Sequence, residues 1–168
     1  MLTRTSIRIF DPERPLPEGT AELLVRTAMA APTACDKRPW QFIIVDAREI
    51  LDRLAAVLPF CKMAAKAQAA IIGCADSSRF INKHEGDTLW IQDLSAASEN
   101  ILLAAHSLGI GAVWTALYPH SEREKAVTEI LSLPEGIVPF NVIPLGYPTR
   151  DYKPRDKFDP ARIHHNGW

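Results

Sequence analysis

The strongest hydrophobic pattern in the chain predicts one long, buried helix between Thr88 and Gly109. Apolar and small residues recur there at helical spacing: Ile91, Leu94, Ser98, Ile101, Ala105 and Leu108. The remaining faces of this segment are also small and apolar, so we expect a central helix that is buried on most sides. Gly109 predicts the end of the helix, because glycine readily adopts the left-handed conformation found just after a helix.

Weaker patterns predict three flanking helices and an alanine-rich helical stretch. The three helices cover Pro17–Ala31, Asp46–Leu58 and Ser121–Leu131, and the alanine-rich stretch covers Lys62–Ala69. The second and third helices each open on a residue that can cap a helix, followed three positions later by glutamate, which is the pattern of a capping box. The two predicted capping pairs are Asp46 with Glu49 and Ser121 with Glu124.

Apolar runs of a different kind predict the strands. "WQFIIVD" from Trp40, "AAIIGCA" from Ala69 and "IVPFNVIPLGYP" from Ile137 are rich in β-branched, aromatic or small apolar residues, and "GAVWTAL" from Gly111 is strand or extended loop. Prolines interrupt the run from Ile137, so we expect part of that strand at a sheet edge. The segment from Ser77 to Asp87 is polar and is predicted to be a loop.

Composition and charge narrow the class of protein. The chain has 168 residues, which predicts a single domain, and its net charge of −1 argues against a general nucleic-acid binder. The three cysteines form no Cys-x-x-Cys pair and are odd in number, which predicts free thiols in a reducing compartment. We expect a cytoplasmic protein without a membrane partner, because neither a signal peptide nor an 18-residue apolar run is visible.

The motifs of common enzyme classes are missing. No nucleophile elbow, phosphate-binding P-loop or helical pair of metal-binding histidines occurs, so we expect neither a catalytic side chain nor a metal site. Gly109-Ile110-Gly111 is half of a dinucleotide fingerprint, but it follows a helix where the fingerprint follows a strand. His106 on the long helix is interpreted as a packed or hydrogen-bonded residue rather than a ligand.

Two basic clusters at opposite ends of the chain suit a phosphate group. "RTSIR" begins at Arg4 and "KPRDK" begins at Lys153. Guanidinium groups offer a planar fork of donors to a phosphate, and hydroxyl groups add neutral donors. The termini of a compact chain are often close, so the clusters could converge. The alternative is that both are solvated charged segments.

Two further segments stand out. "APTACDKRPWQF" (31–42) joins a predicted helix to a predicted strand and is either a ligand-contacting loop or a rigid, proline-framed connection. The last twenty residues, 149–168, lose all periodicity but contain Tyr152, Phe158, Ile163 and Trp168. A disordered tail is rarely this aromatic, so we expect these side chains to dock on the body of the protein or on another subunit.

Four stretches, in order along the chain, resemble the short form of the FMN-dependent nitroreductases. "RTSIR" resembles an Arg-Arg-Ser-x-Arg start, and "APTACDKRPWQFIIV" resembles an Ala-Pro-Ser-x-x-Asn-x-Gln-Pro-Trp-x-Phe segment. "DLSAASENILLAAHSLGIGAVW" resembles the central helix and its exit, and "IPLGYP" with "KPRDKF" resembles the closing strand and tail. The resemblance therefore spans nearly the whole chain.

The resemblance implies an α+β fold whose mixed, largely antiparallel sheet is flanked by helices, in an intertwined homodimer whose C-terminal arms (149–168) cross to the partner. It implies FMN at the interface and NADH or NADPH as a transient co-substrate. The implied phosphate ligands are Arg4, Thr5, Ser6, Arg8, Arg155 and Lys157. The residues implied to approach the flavin from the other subunit are Pro32, Thr33, Ala34 and Asp36. Those implied to run beside the flavin ring are Trp114, Thr115, Ala116 and Leu117.

The implied activity is transfer of a hydride from NAD(P)H through FMN to a nitroaromatic, quinone or similar small acceptor, by a ping-pong mechanism. The alternatives are a low-turnover FMN-binding redox module and an enzyme of the same fold with other flavin chemistry. Three residues depart from the family pattern: Thr5 replaces an arginine, Asp36 an asparagine and Arg38 a glutamine. An ionised Asp36 would disfavour a flavin that gains negative charge, unless Arg38 or Lys37 pairs with it.

Overall fold

The computed structural model describes residues 1–81 and 88–168 and shows an α+β fold, which confirms the predicted class. The helices are α1 (Thr20–Ala28), α2 (Arg48–Val57), α3 (Leu89–Ser107) and α4 (Ser121–Leu131). The strands are β1 (Trp40–Val45), β2 (Ala69–Asp76), β3 (Gly111–Ala112), β4 (Thr115–Ala116) and β5 (Ile137–Gly146). Short 3₁₀ turns occur at Ala34–Asp36, Lys62–Lys66, Ser77–Arg79 and Pro160–Arg162.

One sheet organises the fold. Its strand order is β1-β2-β5-β3, and β4 pairs with the same side of β5 as β3 does. Every strand pairing among the described residues is antiparallel. The prediction was a mixed, largely antiparallel sheet, and its antiparallel part is what the structure shows. Of the loop predicted over 77–87, residues 82–87, which include His84, lie outside the described residues.

Helices cover both faces of the sheet. Because side chains alternate along a strand, Ile71 of β2 packs with α1 and α3, whereas Ile72 packs with α2 and α4. In β5, Ile143 lies on the α1/α3 side and Val142 on the α2/α4 side. β2 is therefore buried on both faces, which explains why its sequence is apolar without interruption.

β5 lies between β2 on one side and the short strands β3 and β4 on the other, but residues 137–139 pair with β2 alone, so the prediction that β5 lies partly at an edge is confirmed. Its prolines are tolerated because their missing N–H groups fall where the ladder is interrupted. The Leu145 carbonyl faces β2 and accepts a hydrogen bond from Gln68 N at 2.8 Å. The backbone nitrogen of the neighbouring Pro144 therefore points to the other side of β5. There it lies in the gap between the residues that pair with β3 and those that pair with β4. Pro139 lies at a register shift between β2 and β5.

The ends of the helices differ from the predicted capping. Ala47 is the N-cap of α2 and His120 is the N-cap of α4, and neither side chain makes a capping hydrogen bond. Both predicted capping boxes were therefore wrong, as was the helix over 62–69, where a 3₁₀ turn leads directly into β2. The end of α3 is as predicted: Gly109 has φ 72°, and its N–H donates to the His106 carbonyl at 3.0 Å.

The N-terminal segment runs along the sheet edge formed by β3. Ile7 N donates to the Ala112 carbonyl at 3.0 Å, and Asp11 N donates to the Tyr147 carbonyl at 2.8 Å. The Ile7 side chain lies so close to Gly111 that a Cβ added there would come within 2.7 Å of Ile7 Cγ2. The segment that carries "RTSIR" is therefore fixed to the body of the protein.

The cysteines are free thiols, and the C-terminal segment is mostly exposed. Cys35, Cys61 and Cys74 are free thiols, as predicted, and burial raises the pKa of Cys61 to about 11 and that of Cys74 to about 12. In the segment 149–168, Tyr152 packs on the cluster around Ile7, whereas other large apolar side chains extend into solvent. Within the described ranges, no helix has both the length and the apolar character needed to cross a membrane.

Candidate cofactor site

The two basic clusters converge. Arg4 from the start of the chain and Arg155 and Lys157 from its end line one cavity of about 760 Å³. The other lining residues are Leu2, Thr3, Pro154, Asp156 and Phe158. Three cationic residues and one carboxylate give the lining a net positive charge. This cavity therefore has the donor set and the charge that a phosphate group needs.

Arg4 is held in place at this cavity. Its side chain is 18% exposed, and its Nε lies 3.4 Å from Oε1 of Glu99 on α3. The neighbouring Thr3 is also tied to α3, because its Oγ1 lies 2.8 Å from His106 Nε2. His106 thus has a hydrogen-bonding role, as interpreted from the sequence.

A second cavity, of about 410 Å³, lies beside β4. The cationic residues that line it are Arg8, Lys62 and Arg123, and the lining contains no acidic residue. Apolar and small residues form the rest of the wall: Pro59, Phe60, Met63, Val113, Trp114, Thr115 and Ala116. Arg8 lines this cavity and Arg4 lines the first one. Four residues of extended chain span at most about 14 Å, so the Cα atoms of these two arginines are no further apart than that.

The predicted ring-contacting segment offers few free side chains. Thr115 is buried, and its Oγ1 donates to the Val142 carbonyl at 2.8 Å. Leu117 is also buried, and its N–H donates to the Phe140 carbonyl at 3.0 Å. Trp114 is half-buried and Ala116 is exposed, and both line the second cavity. A planar ligand in this cavity would therefore contact Trp114 and the main chain around Ala116.

Thr5, Ser6 and the loop residues are not among the residues that line these two cavities. Thr5 and Ser6 are half-buried on the segment between Arg4 and Arg8. In the loop 32–38, the Ala34 N–H donates to Asp93 Oδ1 of α3 at 2.9 Å, while Pro32 is exposed and Thr33 is half-buried. Within the described chain, the loop is thus anchored to α3 apart from the cationic cavities.

Asp36 and Arg38 form an ion pair within this loop. Arg38 Nε donates to Asp36 Oδ1 at 2.7 Å, and Arg38 Nη2 donates to Asp36 Oδ2 at 2.5 Å. These hydrogen bonds to Arg38 hold the pKa of Asp36 below its ordinary value. Cys35, Asp36 and Arg38 all have φ near +50°, which is an uncommon conformation for residues other than glycine. The expectation that Arg38 could pair with Asp36 is confirmed.

Sequence reasoning missed four residues at or beside these cavities: Phe60, Lys62, Glu99 and Arg123. Lys62 was assigned to a helix that does not form, and Arg123 was read only as part of helix α4. Arg123 Nη1 donates to the Ala116 carbonyl at 3.1 Å, and its guanidinium lies 5.1 Å from the Phe60 ring centre. No local signal distinguishes these residues, because long-range packing brings them to the cavity. The described residues also contain no group of three or more potential metal ligands.

Antiparallel strands between two helical layers, with two cationic cavities, define a protein whose surface suits an anionic ligand. The sequence model described as "Nitroreductase family" matches residues 1–147. A protein of Methanothermobacter thermautotrophicus, provisionally named NADH dehydrogenase/NAD(P)H nitroreductase, is 48% identical over 99% of this chain and 84% of its own length. An Archaeoglobus fulgidus protein with the same name is 45% identical over 99% of this chain and 95% of its own.

Solved structures agree with the sequence comparisons. A Bacteroides thetaiotaomicron protein with that same provisional name has a TM-score of 0.91 and 42% identity, covering 99% of this chain and 95% of its own. A provisionally named NADH oxidase of Clostridium acetobutylicum has a TM-score of 0.89 and 37% identity, covering 98% and 97%. The chain belongs to the nitroreductase family, and its class is therefore that of an oxidoreductase.

Proposed function

We propose that this protein is an FMN-dependent NAD(P)H oxidoreductase that reduces nitroaromatic compounds, quinones or similar small acceptors. The observation that carries the proposal is the convergence of Arg4, Arg155 and Lys157 on one cavity. A second cationic cavity, lined by Phe60 and Trp114, supports it. When bound, FMN would supply the redox chemistry, taking a hydride from the nicotinamide and passing it to the acceptor.

The residues present fit this cofactor. The guanidinium groups of Arg4 and Arg155 and the ammonium of Lys157 would hold the phosphate through charge-assisted hydrogen bonds. Trp114 and Phe60 would pack against the aromatic ring system in the second cavity. Arg8 and Lys62 would favour the negative charge that a flavin gains on reduction, because the lining of that cavity includes no carboxylate.

The chain's own residues need only bind and orient. Neither cavity lining contains a histidine, and the one carboxylate, Asp156, accepts a hydrogen bond from Phe158 N at 2.9 Å. We therefore assign no catalytic side chain. One cavity beside the ring would receive the nicotinamide first and the acceptor afterwards, which is the basis of the proposed ping-pong mechanism. The free thiols fit a reducing compartment such as the cytoplasm.

We also propose a homodimer in which residues 149–168 cross to the partner. Phe158 is 72% exposed and Trp168 is fully exposed, although side chains of this type are usually buried. A second copy would cover these residues. It would also carry the loop 32–36, which is separate from the cavities of its own chain, to the cofactor of its neighbour.

The absorption spectrum of the purified protein tests the proposal. We expect flavin bands, release of FMN on denaturation, anaerobic bleaching by NADH or NADPH, and recovery of colour with a nitroaromatic acceptor. A protein that stays colourless with added FMN would refute cofactor binding. A yellow protein that the nicotinamides do not bleach would identify the alternative, a redox module with little turnover.

A further inference from the structure

Helix α3 holds the N-terminal segment through two side chains. Glu99 contacts Arg4, with 3.4 Å between Oε1 and Nε, and His106 contacts Thr3, with 2.8 Å between Nε2 and Oγ1. Glu99 and His106 are seven residues apart, so they lie on the same face of the helix about two turns from each other. The two contacts fix consecutive residues at the mouth of the 760 Å³ cavity.

The Glu99 contact leaves the useful edge of the Arg4 guanidinium available. A guanidinium has five N–H donors. Glu99 forms an ion pair with it on the Nε side, with 3.4 Å between Oε1 and Nε. The edge between the two Nη atoms, which lies away from Nε, can recognise a phosphate or carboxylate by two parallel hydrogen bonds, one from each Nη. Arg4 lines the cavity, whereas Glu99 is not among its lining residues, so Glu99 contacts Arg4 from outside the lining.

The Arg4 side chain is largely buried in an irregular segment of the chain. Its side chain is only 18% exposed, yet it lies in a segment without regular secondary structure, where no helix or strand restricts its rotamers. An arginine side chain loses considerable rotamer entropy when it is fixed. If a partner on a rigid helix already fixes the side chain in the free protein, this entropy is not lost when the ligand binds, and the affinity for the ligand is higher.

We propose that Glu99 is a positioning residue for the phosphate-binding group: it holds Arg4 Nε so that the two Nη atoms face the cavity together with Arg155 and Lys157. This inference rests on the proposed function, because it takes the phosphate of FMN as the group bound in the cavity. Glu99 acts through Arg4 and does not itself touch the phosphate.

The role predicts a distinct pattern among Glu99 variants. Glu99→Ala removes the ion-pair partner of Arg4 and should weaken FMN binding about two- to fivefold. Glu99→Gln keeps an oxygen acceptor for Arg4 Nε and removes a negative charge near the phosphate, so it should retain at least the wild-type affinity. Riboflavin lacks the phosphate, so its affinity should be the same in all three proteins.

Fluorescence titrations of the flavin-stripped protein with FMN and riboflavin measure these affinities. The matched control is Glu129→Ala on α4, which removes another exposed, paired glutamate, 3.9 Å from Lys125, and should leave both affinities unchanged. In the Arg4→Ala background, Glu99→Ala should cause no further loss of FMN affinity. This non-additivity is the signature of a residue that acts through Arg4.

Several results would overturn the inference. These are an unchanged FMN affinity in Glu99→Ala, an equal loss for riboflavin, a loss in Glu99→Gln as large as in Glu99→Ala, or an undiminished loss in the Arg4→Ala background. If Glu99→Ala does not fold, the comparison of Glu99→Gln with Glu99→Asp, whose shorter side chain should lose affinity, decides the question. Failure of the proposed function is distinguishable, because the wild-type protein would then not bind FMN or Arg4→Ala would not weaken its binding.

Discussion

Replacement of Arg4 by alanine tests the proposed phosphate site most directly. Arg4 lines the cavity with Arg155 and Lys157, and its guanidinium is largely shielded from solvent. A hydrogen bond to a charged group contributes about 1.5–3 kcal/mol, and about 1.4 kcal/mol corresponds to a tenfold change in affinity. Arg4→Ala should therefore weaken FMN binding about 10- to 100-fold.

The fold should survive this substitution. The ion pair that Arg4 loses involves a half-exposed Glu99, and such pairs contribute at most about 1 kcal/mol to stability. The N-terminal segment keeps its backbone hydrogen bond from Ile7 to Ala112 and its buried side chains. Thermal unfolding of the flavin-free protein should therefore show only a small shift.

The assay is a fluorescence titration of both proteins with FMN and with riboflavin after the native flavin has been removed. Riboflavin should bind wild type and Arg4→Ala equally well. Equal losses for the two flavins would mean that Arg4 supports the shape of the pocket and does not hold a phosphate. If neither affinity changes, the N-terminal cluster is a solvated charged segment, which is the alternative that the sequence left open.

Three more predictions concern the dimer, the sheet edge and the loop. Removal of residues 149–168 should yield a monomer or aggregate without flavin, and a folded, flavin-binding monomer by light scattering would contradict the crossed-arm dimer. Gly111→Ala should lower the free energy of unfolding by about 1–3 kcal/mol and weaken FMN binding, because the new methyl group would displace Ile7 and the segment attached to it. Denaturant titration measures the change, and an unchanged unfolding midpoint would contradict the prediction. Arg38→Gln should raise the pKa of Asp36 toward its ordinary 3.8, so that the carboxylate persists less far into acid, and an NMR titration that shows no rise would contradict the ion pair.

The helices and strands with a regular hydrophobic pattern could be predicted, because apolar residues occupy their buried positions. α3 is apolar on most faces, and β2 is apolar or small from Ala69 to Ala75, since each is covered on several sides. The stretch 62–69 was mistaken for a helix because alanine favours helices locally, whereas in the fold this stretch must turn into β2 within a few residues. The pairing of the second half of β5 with β3 and β4 could not be predicted, because each of these strands is only two residues long.

The candidate site, like the fold, could be predicted from the sequence only in part. The chemistry of the basic clusters could be read from residue types, and the Asp36–Arg38 pair follows from two opposite charges two residues apart. The contributions of Glu99 and Arg123 could not be predicted, because each depends on how a helix packs against a distant segment. Sequence spacing carries no information about such contacts between remote parts of the chain.

Arg38 explains how the chain can carry an aspartate at position 36, where the family pattern has an asparagine. A carboxylate presented to a flavin would oppose the negative charge that the flavin gains on reduction, but Arg38 binds it through two hydrogen bonds, so the pair carries no net charge. Both side chains are well exposed in the single chain, where solvent screens their attraction. In the proposed dimer the partner subunit would cover the loop, and the lower local dielectric would strengthen the pair. The ion pair should therefore matter more to the assembled, flavin-bound protein than to the stability of an isolated chain, and Arg38→Gln should disturb flavin binding more than it disturbs folding.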